Sequence, residues 1–572
     1  MNDTVETAGL GVFFVILLAL TALLLMRSQQ KKRDLAIEAA LRAGFGQIPS
    51  KQMKAERYAK VPAFYLRRKA AGTLDSDLDD ITWNDLDMDA LYARMDCTLS
   101  AAGEEYLYAL LRSPAGEEGA PLTIPLSEIR YFEEDAHSGL RLQLQKALHA
   151  FGYTGRYSLY EYLDLLKEAP KESNLVHVPA FVLPTASLFL MVYSVQAGIL
   201  CLVGSFILNM LTYYRRRGQI EPFLTIFSYL LRMMKCAQTV TGIHCPALQE
   251  ECGRLRELAP VFSRFRRGSF IVLSGTTSSG GNPVDFLVDY IRILFHLDLI
   301  RFNTMLAHYY GHQKEMEEAL IILGRIDTAI CLASFEKSLP YTCEPFLNRQ
   351  PSQEKLLLSQ VYHPLLEHPV PNSLTVTKPV LLTGSNASGK STFLKATALC
   401  AILAQTAGFC PAREYRGGYF VIRSSMALRD NISAGESYFM AEIRSLKRIA
   451  DLAVKSRRPV LCFVDEVLRG TNTIERIAAS SELLKALAGA GVVCFAATHD
   501  IELTKLLSPE FANYHFEEEI KDGDVTFSYQ IKDGPAVTRN AIQLLGATGF
   551  DPQIIKNAAR RAERFEETGQ WI

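Results

Sequence analysis

At 572 residues the chain is long enough for three or four domains, and its 61 basic and 62 acidic residues leave a net charge of −1. That balance excludes a global basic field as the basis for holding nucleic acid, while leaving room for a local basic face. The 11 cysteines are odd in number and form no C-x-x-C pair, and His244-Cys245 with Cys252 lacks zinc-ligand spacing, which excludes a disulfide scaffold and a zinc module and fits reduced cytosolic thiols.

The first element is an uncharged run from Ala8 to Met26, 19 residues, just enough to cross a hydrocarbon core of about 30 Å. Asp3 and Glu6 precede it; Arg27, Lys31, Lys32 and Arg33 follow. A cleaved signal peptide carries its positive charge in front. The order here predicts an uncleaved anchor over residues 1–27, with the N-terminus outside and the body in the cytoplasm, in an inner-membrane protein. Residues 28–74 then form a basic juxtamembrane segment (Lys51, Lys54, Arg57, Lys60, Arg67, Arg68, Lys69) suited to anionic lipid. Helical patterns occupy 75–175 and return over 215–345.

Between them, Val176 to Tyr214 is 39 residues with His177 as its only titratable group apart from tyrosines and Cys201. As one helix it would be about 58 Å long, too long for one crossing and right for two. Ser194-Val195-Gln196 is the expected turn, and Lys167, Lys171 and Arg215-Arg216-Arg217 at the two ends put both ends in the cytoplasm. Three membrane-embedded helices result, and a membrane protein partner becomes a candidate. Ser274 to Gly281 reads as a flexible loop. Phe286 to Met305 is interrupted by Asp289, Arg292, Asp298 and Arg301 and reads as an amphipathic helix.

From 346 to 572 the chain carries chemistry. Gly384-Ser385-Asn386-Ala387-Ser388-Gly389-Lys390-Ser391-Thr392 fits the phosphate-loop pattern, with an apolar strand (Val380-Leu381-Leu382) before it and a helix (Phe393 to Ala404) after it. The glycines let backbone N–H groups face phosphate oxygens, and the helix dipole adds to that attraction. Lys390 would reach the β and γ phosphates, and the Ser391 hydroxyl would hold Mg²⁺. A second anion site is suggested by Ser433 to Glu442, with Ser437 at a helix start. The strand Pro459 to Val464 ends in Asp465-Glu466, suited to Mg²⁺ and to activation of the attacking water. A further strand, Val492 to Ala497, ends in Thr498-His499-Asp500, where His499 can sense the γ-phosphate.

This series (Thr383 to Thr392, Ser437 to Glu442, Asp465 to Thr473, Ala497-Thr498-His499) closely resembles the ATPase domain of the MutS family, and the resemblance extends over residues 360 to 570, from His363-Pro364-Leu365-Leu366 to Asn513-Tyr514-His515, Val525-Thr526-Phe527 and Gly546 to Pro552. It implies an α/β P-loop domain of ABC/MutS type, using ATP and Mg²⁺ as a homodimer. Ser437 would then complete the partner subunit's site in trans, Asn472 would lie in the loop crossing the interface, and His515 would pack on adenine. Ser385 stands where the family has Pro and Tyr438 where it has Thr, and the family's aromatic ahead of the loop has no counterpart near Val370-Pro371-Asn372. Residues 79–114 and Gly324 to Ala329 weakly resemble the two ends of the family's all-α core or lever domain. The apolar hairpin therefore interrupts a lever-like domain, where the family inserts its DNA clamp. The resemblance implies binding of mismatched or structured DNA in repair or sensing. The missing mismatch reader and the neutral charge leave the alternative of an ATP-driven mechanical or scaffolding switch on a membrane partner.

Overall fold

The structure is a computed structural model that describes the chain except residues 1–20, 22–23, 26, 50–54, 75–76, 117–121, 156, 273–289, 349–353, 386–387, 427–437, 490, 522–523, 537–541, 543–549 and 569–572. It divides into two compact units. One comprises residues 1–64, 97–106 and 128–334; the other comprises 65–96, 107–127 and 335–572.

The first unit is helical. Its helices include α1 (Ser138–Phe151), α2 (Pro179–Leu190), α3 (Val195–Gly242), α4 (Gln249–Arg266), α5 (Leu297–Gly311) and most of α6 (Gln313–Lys337). Phe227 of α3 packs against Phe265 of α4 and Phe302 of α5, with ring centroids 5.5 and 5.0 Å away, and all three rings are buried. Each such ring contributes roughly 1.5–3 kcal/mol through burial.

The expected hairpin is present as α2 and the first part of α3, but its turn is Met191 to Ser194, and Ser194 serves as the N-cap of α3, its side chain accepting from the Ala197 N–H. The surface of the hairpin is apolar and open: Phe189, Val192, Tyr193 and Leu200 are 74, 81, 89 and 75% exposed. Its few buried polar groups are satisfied, Asn209 donating to the carbonyls of Ala180 and Leu294 at 3.0 Å each. Three crossings were expected; among the described residues one helix, α3, is long and apolar enough to cross a membrane, while α2 has 12 residues. The N-terminal run at 8–26 lies outside the described residues except Thr21, Leu24 and Leu25, which are helical. The expected loop at 274–281 also lies outside them. The expected amphipathic helix from Phe286 is broken at His296, whose φ is +53°, before α5 begins.

The second unit is α/β. Its central sheet has the order β12-β9-β4-β8-β7-β6, built from β4 (Val380–Thr383), β6 (Val421–Ser425), β7 (Val460–Asp465), β8 (Val492–Ala497), β9 (Ala512–His515) and β12 (Lys532–Asp533). All neighbours are parallel except β12, which pairs antiparallel with β9. Continuous burial along β4 and β8 explains their unbroken apolar sequences: both faces are covered. Helices α7 (Lys390–Thr406), α8 (Tyr438–Lys455) and α9 (Thr473–Leu487) supply that cover. A second sheet has the order β1-β5-β2-β3, built from β1 (Phe346–Asn348), β5 (Glu414–Gly418), β2 (Leu356–Val361) and β3 (Asn372–Val376), the last two antiparallel, and β10 (Glu518–Lys521) pairs antiparallel with β11 (Asp524–Phe527).

The division differs from the sequence reading. Residues 65–96, 107–127 and 335–345 cluster with the α/β unit, not with the helical one. The helix Asp80–Asp85 covers the exposed edge of β6: Asp85 accepts from the Ser424 hydroxyl at 2.7 Å and from the Met426 N–H at 2.9 Å, and Thr82 accepts from the Ser424 N–H. Asp79 pairs with Arg423 and Arg448, and Asp87 with Lys395 of α7. An open strand edge is thereby closed by polar side chains from about 340 residues earlier.

Candidate nucleotide site

Strand register brings the candidate residues to one edge. Leu382 of β4 pairs with Ala497 of β8, Ala497 with Asp465 of β7, and Thr383 with His515 of β9. The residues that follow these strands therefore emerge together at the carboxyl edge of a parallel sheet, the usual place for a ligand crevice.

Gly384 has φ +141°, and a Cβ there would lie 2.4 Å from the Phe516 carbonyl oxygen; Gly389 has φ +109° with the Tyr529 ring at 3.2 Å. No side chain is tolerated at either position without strain. Lys390 follows at the start of α7. Its ammonium donates to the carbonyls of Gly384 (2.8 Å) and Ser385 (2.7 Å), and burial lowers its pKa, partly offset by Asp465, Glu466 and Glu518. A buried cation satisfied only by loop carbonyls is suited to exchange them for an anion. Ser388 donates to the Ser385 carbonyl at 2.8 Å, and Ser385 itself donates to the buried Glu518 at 2.8 Å, which gives this departure from the family pattern a structural role. Thr392 lines the same cavity; Asn386 and Ala387 lie outside the described residues.

Ser391 donates to Asp465 Oδ2 at 2.5 Å, while the other oxygen, Oδ1, is buried without a hydrogen-bond partner. Burial raises the Asp465 pKa, opposed by the Ser391 bond. An orphaned, buried carboxylate oxygen beside a hydroxyl fits a hard divalent cation. Among the described residues no group of three or more His, Cys, Asp or Glu could hold a metal. A cation here would therefore be held by Ser391 and Asp465 together with phosphate oxygens.

Glu466 has φ +53°, and its carboxylate lies between His499 Nε2 (2.8 Å) and Arg469 (2.7 Å). The next residue in the chain, Asp500, accepts two hydrogen bonds from Arg476, of 2.9 and 2.6 Å. A carboxylate with a histidine at hydrogen-bond distance beside a phosphate cradle can orient and deprotonate water.

The cradle opens into a cavity of about 520 Å³, which continues past Lys390 and Glu466 to His363, Leu366, His368, Val370 and Tyr529. His515 is not among the lining residues. Its Nδ1 lies 2.9 Å from the Gly534 carbonyl and its Nε2 3.4 Å from Glu517, while Tyr529 and His368 line the cavity. Sequence reasoning missed Tyr529, which arrives from a distant loop held by Asn372: the Asn372 side chain donates to the Tyr529 carbonyl (3.0 Å) and accepts from the Ile531 N–H (2.7 Å). Ser437 lies outside the described residues. Asn472 caps α9 through the Glu475 N–H at 3.0 Å.

Residues 380–566 match the model of MutS domain V. The DNA mismatch repair protein MutS of Thermus thermophilus is 32% identical over 265 residues, 44% of this chain and 32% of that protein. The protein of the same name from Thermus aquaticus is 32% identical over 248 residues (42% and 30%), and that of Pseudothermotoga lettingae 34% over 249 residues (41% and 30%). The chain thus spans about a third of the length of the curated relatives it matches.

Proposed function

Starting from a chain that belongs to the MutS family through its C-terminal domain, we propose that it binds and hydrolyses ATP with Mg²⁺ as a homodimer. The observation that carries this is the convergence of Lys390, the Ser391–Asp465 pair and the Glu466–His499 pair at one sheet edge. Lys390 turns from the loop carbonyls to the β and γ phosphates. Ser391 and Asp465 hold the cation, which when bound neutralises charge building on the phosphate oxygens. Glu466 exchanges one of its two partners for the attacking water and takes its proton, and His499 faces the γ-phosphate. Ser437 reaches the partner's nucleotide in trans. Tyr529 takes the base-side role first given to His515.

The relatives carry the name of DNA mismatch repair proteins, and DNA binding in a repair or sensing role is proposed here on that likeness. A second element is supported by the hairpin. The apolar part of α3, Val195 to Tyr214, rises about 30 Å, the depth of a bilayer core, and Val195, Leu200 and Leu211 on it are 62, 75 and 66% exposed. We propose that this hairpin, with the N-terminal run, embeds the protein in the inner membrane with the ATPase in the cytoplasm, so that ATP-driven motion acts on the bilayer or a membrane partner. The test is ATP turnover by the full chain in nanodiscs, with and without duplex, mismatched and branched DNA. Salt-sensitive stimulation by one DNA form supports the DNA role; turnover indifferent to every DNA removes it and leaves the membrane switch.

A further inference from the structure

Glu466 and Leu468 both occupy the left-handed region, at φ +53° and +56°. Neither is glycine, and each such residue costs on the order of 1 kcal/mol or more. The turn that carries the Glu466 carboxylate is thus held by something outside itself. Two contacts from α8 do so. Glu442, 5% exposed, accepts the Leu468 N–H through Oε1. Phe439, one turn earlier, packs so closely on Gly470 that a Cβ there would lie 3.1 Å from its ring. From the other side, Ser480 of α9 donates to the Val467 carbonyl at 3.3 Å, and the Val467 and Leu468 side chains are sunk in the core.

Burial raises the Glu442 pKa while the N–H groups it faces lower it. A buried carboxylate is a costly way to tie down the backbone amides of Leu468 and Arg469, and a neutral side chain would fill the same space. Its position decides its use: it grips the strained turn two residues beyond the carboxylate that points at His499.

We propose that Glu442 is a positioning residue for the general base, holding the turn from Glu466 to Leu468 in the conformation that aims Glu466 at the attacking water. The proposal rests on the hydrolysis reading above.

The test compares Glu442→Ala, Glu442→Asp and Glu442→Gln with Glu466→Gln in the full chain, reading kcat, KM, binding of a fluorescent ATP analogue and melting temperature. A misaimed group costs up to about 100-fold in rate. Glu442→Ala and Glu442→Asp are expected to lower kcat about 10- to 100-fold with nucleotide affinity unchanged, and Glu442→Gln, which keeps an acceptor oxygen in place, to retain most of the rate. If Glu442→Ala does not fold, the Asp variant, which shortens the reach by one methylene, carries the same comparison. An unchanged kcat in the Asp and Ala variants overturns the proposal, as does a fall in kcat that tracks lost affinity and melting temperature in all three. Full turnover by Glu466→Gln would instead remove the hydrolysis reading itself, which separates the two failures.

Discussion

Lys390 and Phe189 depart from ordinary burial in opposite directions. In the nucleotide cradle, charged side chains are buried: Lys390 is 5% exposed and the Asp465 carboxylate has an oxygen with no partner. On the helical hairpin, large apolar side chains are open, with Phe189 at 74%. Both patterns are unfavourable for an isolated chain in water, and on the proposed reading an anion and a cation would relieve the first and lipid the second. A buried charge with an incomplete set of partners and an exposed apolar surface with none are thus two forms of the same signal. Each marks where the folded chain is unfinished.

The largest effect that can break this comparison is at the base. Glu466→Gln is expected to lower phosphate release roughly 10²- to 10⁴-fold while nucleotide binding persists, whereas Lys390→Ala weakens both. Binding and turnover falling equally in the Gln variant would mean that Glu466 belongs to the binding cradle and not to the chemistry. On the hairpin the corresponding change is Leu200→Arg, which adds a charge at a position that is 75% exposed. It is expected to cost about 2.5–3.5 kcal/mol of insertion if residues 195–214 lie in hydrocarbon. Maleimide labelling of the neighbouring, exposed Cys201 in nanodiscs, followed by peptide mass, reads it: protected in the parent, labelled in the variant. Labelling of Cys201 in both would place the hairpin in water.

A smaller effect tests the edge of the sheet. Asp85→Ala removes the acceptor for the Ser424 hydroxyl and the Met426 N–H at the end of β6. The expected loss is about 2 kcal/mol, seen as a melting midpoint lower by about 5 °C. A melting curve that does not move would mean that the segment from Asp79 to Asp87 rests on β6 without supporting it.

These residues also show how far the sequence can be read. The phosphate loop and the strand-end Asp465, Glu466 and His499 were legible because each follows an apolar run whose burial fixes where it emerges. Asp85, Glu442 and Tyr529 were not. Their partners are 341, 26 and 157 residues away in sequence, and no local pattern announces a contact made only by the sheet order. Residues 75–96 were assigned by their neighbours in the chain to the helical region; acidic side chains among them, Asp79 and Asp87, pair instead with Arg423, Arg448 and Lys395. At the hairpin, Ser194 was read as a turn residue. It is a helix cap, and the two signals share the same residue types because both depend on a side-chain oxygen accepting a nearby N–H. His515 was placed on the base through likeness alone, and its two ring nitrogens are turned to Gly534 and Glu517.

The last prediction sharpens the rule, because burial of charge does not by itself mark function. In the helical unit, Glu128 is 6% exposed, and burial pushes its carboxyl up to about 7 against the pull of Arg325. Unlike Asp465, both of its oxygens are met, by Arg325 at 3.1 and 2.6 Å, and the same guanidinium also pairs with Glu251. The native state therefore keeps a proton that the unfolded chain releases near 4.5, so the unit loses stability as pH rises from about 4.5 to 7. With the guanidinium facing both oxygens, the net effect over that window is expected to be on the order of 1 kcal/mol. Denaturant titrations at several pH values should show the slope in the parent and a flatter one in Glu128→Gln, with ATP turnover alike in the two. If Glu128→Gln instead changes turnover while leaving the pH slope intact, a fully partnered buried charge is functional after all, and the orphaned oxygen of Asp465 loses its value as the distinguishing mark.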